Sequence, residues 1–293
     1  MAGLETVGAR AAAGSGGTPW NLWPKRPDGE DRVSATGSRL GVMSQATLYT
    51  LPGSHPGVAI ALMLGYKGIE YDRVDLMPVI SKVALRALGF PGITVPAVRF
   101  SGRKLQGSVE IARGLDGLVP EPPLLPEDEA ERERVLEAER YGEEELQHPI
   151  RQILWWLLKR NRDAMYSYAE NAKLPVPTGL AVRTSAPIVA AAVHFNKASD
   201  ENVRAALAEM AGQLDRIDDY IEQGLIGNER PNAADFQIAA TVRLAMTVED
   251  LRPVIESRPA GRLALRLVPE YDGHLPPGLP QGWLEPLRQN QPA

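Results

Sequence analysis

The sequence predicts an α/β unit followed by an all-α unit. Three observations lead there. Between residues 46 and 118, short β-branched or aromatic runs alternate with helix-like stretches. A proline cluster follows at Pro120, Pro122, Pro123 and Pro126. Beyond it, apolar residues recur at helical spacing to about residue 250.

The first strand is Thr47–Leu51, ended by Pro52-Gly53. Ser54-His55-Pro56 then starts a helix, because a serine caps orphan N–H groups and proline tolerates the first turn. Val58–Leu64 is its apolar body, and Gly65 and Gly68 close it. Tyr71–Leu76 alternates as a second strand, parallel to the first across the helical crossover. Val79–Leu88 reads as the next helix. Val95–Phe100 and Arg103–Gln106 flank Ser101-Gly102 as a hairpin. Ser108 opens a last helix through Leu115. The order β-α-β-α-β-β-α in so short a span is the thioredoxin-like layout. Pro96 suits a strand start, where no ladder donor is needed, and a tight turn there accommodates a cis bond.

Residues 1–43 are expected to be a disordered leader. The run Ala11–Gly17 and the aperiodic Trp20, Trp23, Pro24 and Pro27 cannot bury enough apolar area to offset ordering entropy. The expected units are then 44–119, thioredoxin-like, and 126–268, helical. An extended proline-rich tail over 269–293 carries Pro276, Pro277, Pro280 and Pro286.

Together these residues resemble the N-terminal domain of glutathione S-transferases: Leu48 through Pro56, then Val95-Pro96-Ala97, then Leu105 through Ile111. The serine before the first helix is most similar to the theta class. The resemblance implies that Ser54 donates a hydrogen bond to the thiolate of glutathione. It implies that Val95, before a cis Pro96, pairs its backbone with the cysteinyl part. It further implies that Ser108 holds the γ-glutamyl carboxylate, and a helix N-terminus suits an anion. The nucleophile is the cosubstrate's sulfur, not Ser54. The family usually has Glu or Gln directly before the third-helix serine. Gly107 stands there in this chain, so the partner of the γ-glutamyl amine is open; Gln106 is one candidate, and the thiol is either glutathione or another low-molecular-weight thiol. His55 either joins the site or faces solvent.

In the helical half, the stretch from Glu121 to Glu145 is densely acidic, with only Arg132, Arg134 and Arg140 as bases. It reads as a solvated helix face. Val135, Ala138, Tyr141, Leu146 and Ile150 are candidate core. Ile153–Leu158 is too apolar for one stripe, so Trp155 and Trp156 either pack in a two-sided core or wall a pocket for a hydrophobic electrophile. Residues 160–185 read as an insertion or cover. Val203–Ile226 is amphipathic, and Asn232 with Asp235 forms a capping pair for a buried helix. Asp235 is a folding residue, with Asp235→Ala expected to cost about 1–2 kcal/mol.

The exclusions are firm in places. The chain has no cysteine, hence no disulfide, no Cys-ligated zinc and no thiol nucleophile of its own. Its four histidines lie at no metal-ligand spacing, so no metal is expected. A formal charge of −5 disfavours nucleic acid as a partner. No apolar run is long enough to span a membrane. Esterase and nucleotide-phosphate motifs are absent. The resemblance implies a cytoplasmic, homodimeric thiol transferase acting on a hydrophobic electrophile. Its rivals are a non-catalytic module of the same fold and a lyase or isomerase using the thiol.

Overall fold

The computed structural model describes residues 45–78 and 80–289. The expected leader over 1–43 lies outside the described residues, as does Val79 at the expected start of the second helix. In chain order, β1 (Ala46–Thr50), α1 (His55–Tyr66), β2 (Tyr71–Asp75), α2 (Ser81–Ala87), β3 (Ala97–Phe100), β4 (Arg103–Gln106) and α3 (Ser108–Leu118) form the first unit. The strand order is β2-β1-β3-β4. β1 pairs with β2 in parallel and with β3 antiparallel, and β3 pairs with β4 antiparallel. This is the thioredoxin-like topology.

Strand alternation sorts the two faces of the sheet. Leu48, Val98 and Leu105 join α1 and α3 in the main core. Tyr49 and Ala97 point the other way, onto Leu85 of α2 and Phe90. The hairpin turn is tight because Ser101 and Gly102 both adopt positive φ, at 48° and 75°, the geometry that matches strand twist.

The helical unit holds α4 (Glu129–Arg140), a π turn over Tyr141–Leu146, α5 (Gln147–Arg160), α6 (Met165–Ala169), α7 (Thr178–Arg183) and α8 (Ala186–Phe195). It continues with α9 (Asp200–Glu222), α10 (Ala233–Ala245), α11 (Arg252–Glu256), α12 (Pro259–Leu267) and α13 (Glu285–Gln289). Every residue of α10 is buried, and α10 packs on α1, α4, α5 and α12. It is the hub joining the two units.

The capping box at the start of α10 is complete. Asn232 Oδ1 accepts from the N–H groups of Ala234 and Asp235, and Asp235 Oδ2 accepts from Asn232 N–H. Asp235 Oδ1 accepts in addition from Gly227 N–H at 2.7 Å, which ties the preceding loop to the helix.

Two stretches differ from the sequence reading. Residues 160–185 carry short helices, because Tyr168 of α6 is buried and its hydroxyl meets Thr247 Oγ1 at 2.6 Å. The run from Pro269 is not wholly extended. It forms an isolated bridge between Leu275 and Val248 and ends in α13, since Leu275, Leu279, Leu284 and Leu287 are buried. Among the described residues, no helix is long and apolar enough to cross a membrane.

Candidate active site

Strand direction brings three separated segments to one end of the sheet. β1 runs toward that end, β3 starts there and β4 finishes there, with Tyr49 opposite Ala97 and Ala97 opposite Gln106. Ser54 follows β1, Val95-Pro96 precedes β3, and Gly107-Ser108 follows β4. The Gly107 N–H donates to the Pro96 carbonyl at 3.0 Å, fastening the start of α3 to the proline. The Val95–Pro96 bond is cis.

Ser54 is the N-cap of α1, and its Oγ accepts from Gly57 N–H at 3.2 Å. A capping hydroxyl uses a lone pair for that bond and keeps its proton to donate elsewhere. Ser54 thus presents an O–H at the positive end of α1. Ser108 is the first residue of α3 and is buried. It sits where the orphan N–H groups of a helix start favour an anion.

Gly107 has φ 88° and ψ 145°, a region nearly confined to glycine. A Cβ there would meet nothing within 4 Å. The position is open in space but strained for any side chain, so the backbone turn itself selects glycine. Gln106 is committed elsewhere. Its Oε1 accepts from Gly92 N–H at 2.6 Å and its Nε2 donates to the Thr94 carbonyl at 2.7 Å. It pins the loop that leads to Val95.

His55 neither faces solvent nor lines the cleft at Ser54. It is buried against α10, with Nδ1 3.1 Å from Thr241 Oγ1. Burial, with the nearby positive charge of Arg151, holds the ring well below the usual histidine range, so it is neutral. Trp156 is buried on the side of α5 that faces α9 and the C-terminal segment. Its Nε1 donates to Asp200 at 2.7 Å, Arg160 stacks on the ring at 3.4 Å, and Trp283 lies 5.3 Å away. Trp155 is only partly buried and packs against the main core.

A cleft open to solvent lies beside Ser54 and is lined by Leu48, Thr50, Val58, Ala61, Arg73 and Tyr271 among others. Tyr271 donates its hydroxyl to the Gly53 carbonyl at 3.0 Å, so the C-terminal segment forms the outer wall. Gly53 has φ 67°, and a Cβ there would meet the Tyr168 ring at 2.9 Å. Glycine is required for Tyr168 to pack under this loop. Among the described residues, no group of three or more His, Asp and Glu side chains is gathered to hold a metal ion.

The first unit matches a known domain family over residues 48–123. The matching model is that of the glutathione S-transferase N-terminal domain. The likeness to solved transferases extends through the helical unit. A glutathione transferase from Phanerochaete chrysosporium shares 16% identity at a TM-score of 0.55, covering 77% of this chain and 97% of that one. A glutathione S-transferase from Ceriporiopsis subvermispora, solved with glutathione, shares 16% at 0.52, covering 76% and 96%. One from Rhodospirillum rubrum shares 18% at 0.51, covering 83% and 99%. At these identities the likeness establishes the glutathione S-transferase fold. No curated protein matches the chain by sequence.

The sequence reading also passed over two polar pairs inside the molecule: Gln147 and Arg151 on α5, bonded to each other, and Gln237 and Thr241 on α10, the latter beside His55. The available signal was two polar pairs, each at i,i+4, on apolar helices.

Proposed function

We propose that the chain is a thiol-dependent transferase that activates glutathione, or a closely similar thiol, for attack on an electrophile held between its domains. The carrying observation is the convergence of Ser54, Val95–cis-Pro96 and Ser108 at one end of the sheet, inside a glutathione S-transferase N-terminal domain. On this reading Ser108 and the start of α3 hold the γ-glutamyl carboxylate, and the Val95 backbone aligns the cysteinyl part. The Ser54 hydroxyl donates to the sulfur.

A free thiol has a pKa of about 8.5, and a helix N-terminus with a hydrogen-bond donor lowers it toward 7 or below. That raises the thiolate fraction at neutral pH. The sulfur then forms a bond to the electrophilic carbon: in a substitution the bond to the leaving group breaks and that group departs with its electron pair, and in an addition the π electron pair shifts onto the substrate's acceptor atom, which takes a proton from water. Ser54 supplies a proton in a hydrogen bond and forms no covalent link. The cleft beside Ser54 would receive the electrophile. Homodimer assembly and a cytoplasmic location belong to the same reading.

The test is retention on immobilised glutathione, with ultraviolet absorbance titration of the bound thiolate in wild type and Ser54→Ala. Retention with a thiol pKa raised by about one unit or more in the variant, and conjugation reduced by about tenfold or more, is the expected result. Failure to retain at millimolar thiol, or an unchanged thiol pKa, refutes it. Loss of the cap also destabilises the variant by about 1 kcal/mol, so activity is compared well below its melting temperature.

A further inference from the structure

Charge is distributed unevenly along the chain. Residues 76–109 hold five Lys and Arg and no Asp or Glu, and residues 171–199 hold three and none, in a chain of formal charge −5. Exposed apolar side chains fall in the same two segments. Among the described residues, five large apolar side chains are exposed. Ile80 and Val83 lie on the first segment, at 49% and 71%, and Leu180 and Phe195 on the second, at 47% and 73%. Only Tyr166 of α6 lies outside them. Single exposed apolar residues are ordinary. Their concentration where no carboxylate stands is what marks an interaction surface.

The fold joins the two segments. Lys82 Nζ of α2 lies 5.5 Å from the centre of the Phe195 ring at the end of α8, within cation–π range. Ile80, at the N-cap of α2, and Val83 are three residues apart, so they share one side of that helix. On the same side of the sheet, Arg99 follows Ala97 by two residues and pairs with Lys104 across the hairpin, and both are exposed. Lys104 Nζ donates to the Gly89 carbonyl at 3.2 Å, just after α2. α8 has the composition of a core helix without the burial. His194 is its one polar residue, yet Val189 is its one buried residue. Pro187, Ala190, Ala191, His194 and Phe195 are exposed and recur at spacings of three and four, so an apolar stripe of α8 faces outward. α7, which leads into α8, adds Leu180 and Arg183, and Lys197 follows α8.

Charge selects the occupant. A second copy is disfavoured, because an isologous contact sets the patch against itself. Lys82, Arg86, Arg183 and Lys197 would then meet like charges, with no carboxylate in either segment to offset them. A layer that is anionic at its surface and apolar beneath matches both properties at once. The apolar side chains enter the headgroup boundary, and the long cationic side chains around them reach the phosphates. We propose that α2, α7 and α8 form a surface that docks this protein onto an anionic lipid bilayer, lying on it rather than crossing it. This surface goes beyond the transferase reading and does not rest on it.

The test is sedimentation of the full chain with vesicles of phosphatidylcholine alone, and of phosphatidylcholine with about one third phosphatidylglycerol, at about 0.1 M salt. The anionic vesicles should bind it at least about tenfold more tightly. Two double variants divide the surface. Val83→Ser with Phe195→Ser removes apolar area, and Lys82→Gln with Arg86→Gln removes charge. Each should lose at least about tenfold in affinity for the anionic vesicles. All four side chains are exposed, so circular dichroism should match wild type; if one double variant does not fold, the other is read alone. Equal binding to the two vesicles, no binding, or binding that survives the variants overturns the proposal. Loss in the charge variant alone would mean attraction without apolar docking, which also overturns it. A chain that ignores both vesicles but is retained by immobilised polyglutamate carries a surface for an acidic protein instead, and the lipid assignment falls.

Discussion

At the scale of single residues, Ser54 and His55 are chain neighbours with separate tasks. Ser54 faces the sheet end and caps α1, whereas His55 points into the domain seam against Thr241. A residue pair at a helix start diverges by about 100° around the axis, so one pair serves both sides. Burial, with the nearby charge of Arg151, holds the His55 ring well below the ordinary histidine value of 6.5. The unfolded chain therefore takes up a proton that the folded chain refuses. Above about pH 6.5 neither state is protonated and stability is unaffected. Below it, stability falls by up to about 1.4 kcal/mol per pH unit until the folded pKa is reached. Urea denaturation at about pH 7.5 and about pH 5.5 should show a loss of about 1 kcal/mol that His55→Gln largely abolishes. An equal loss in the variant would place the titration on another group.

At the scale of elements, the capping box of α10 is the clearest case of sequence becoming structure. Asn232 and Asp235 were legible because a cap needs particular side chains at fixed spacing. The third bond, from Gly227 N–H, was not legible, since it depends on how the preceding loop folds back. It enlarges the penalty for losing Asp235, which is fully buried. Asp235→Ala strands the buried Asn232 N–H and the part-buried Gly227 N–H and should cost about 2–3 kcal/mol, against about 1 kcal/mol for an ordinary cap. Asp235→Asn should recover part of it. Chemical denaturation of the three proteins checks the ranking, and equal midpoints would show that the Gly227 bond contributes nothing. Gly107 teaches the reverse lesson. Its type looked like a departure from a family pattern, yet its φ of 88° is a sufficient backbone reason for glycine.

At the scale of the whole molecule, the proline-rich linker after α3 is held in place by one buried cation. Lys67, at the end of α1, donates to the Val119 carbonyl at 2.6 Å and the Pro122 carbonyl at 2.8 Å, and pairs with Asp116 at 2.7 Å. All three ammonium donors are thereby satisfied. Asp116 also accepts from Leu124 N–H, and the Leu124 carbonyl accepts from Ala233 N–H, carrying the connection to α10. Lys67→Met should destabilise the chain by about 1–3 kcal/mol, because it leaves two part-buried carbonyls and the partly exposed Asp116 carboxylate without the ammonium. A denaturation midpoint within error of wild type would refute this. α1 and α10 share the main core, so that loss should move the unfolding of both domains together.

The sequence by itself determined the local elements, the order of the first unit, the cap of α10 and the types of residue at the sheet end. Each of these depends on propensity, periodicity or side-chain chemistry within a few residues. Tertiary structure decided what distant segments share: Ser54 with Val95, Pro96 and Ser108, Tyr271 with Gly53, and His55 with Thr241. A polar residue on an apolar helix carries no label for its partner. Only the packing of α1 on α10, driven by buried apolar area, brings His55 to Thr241.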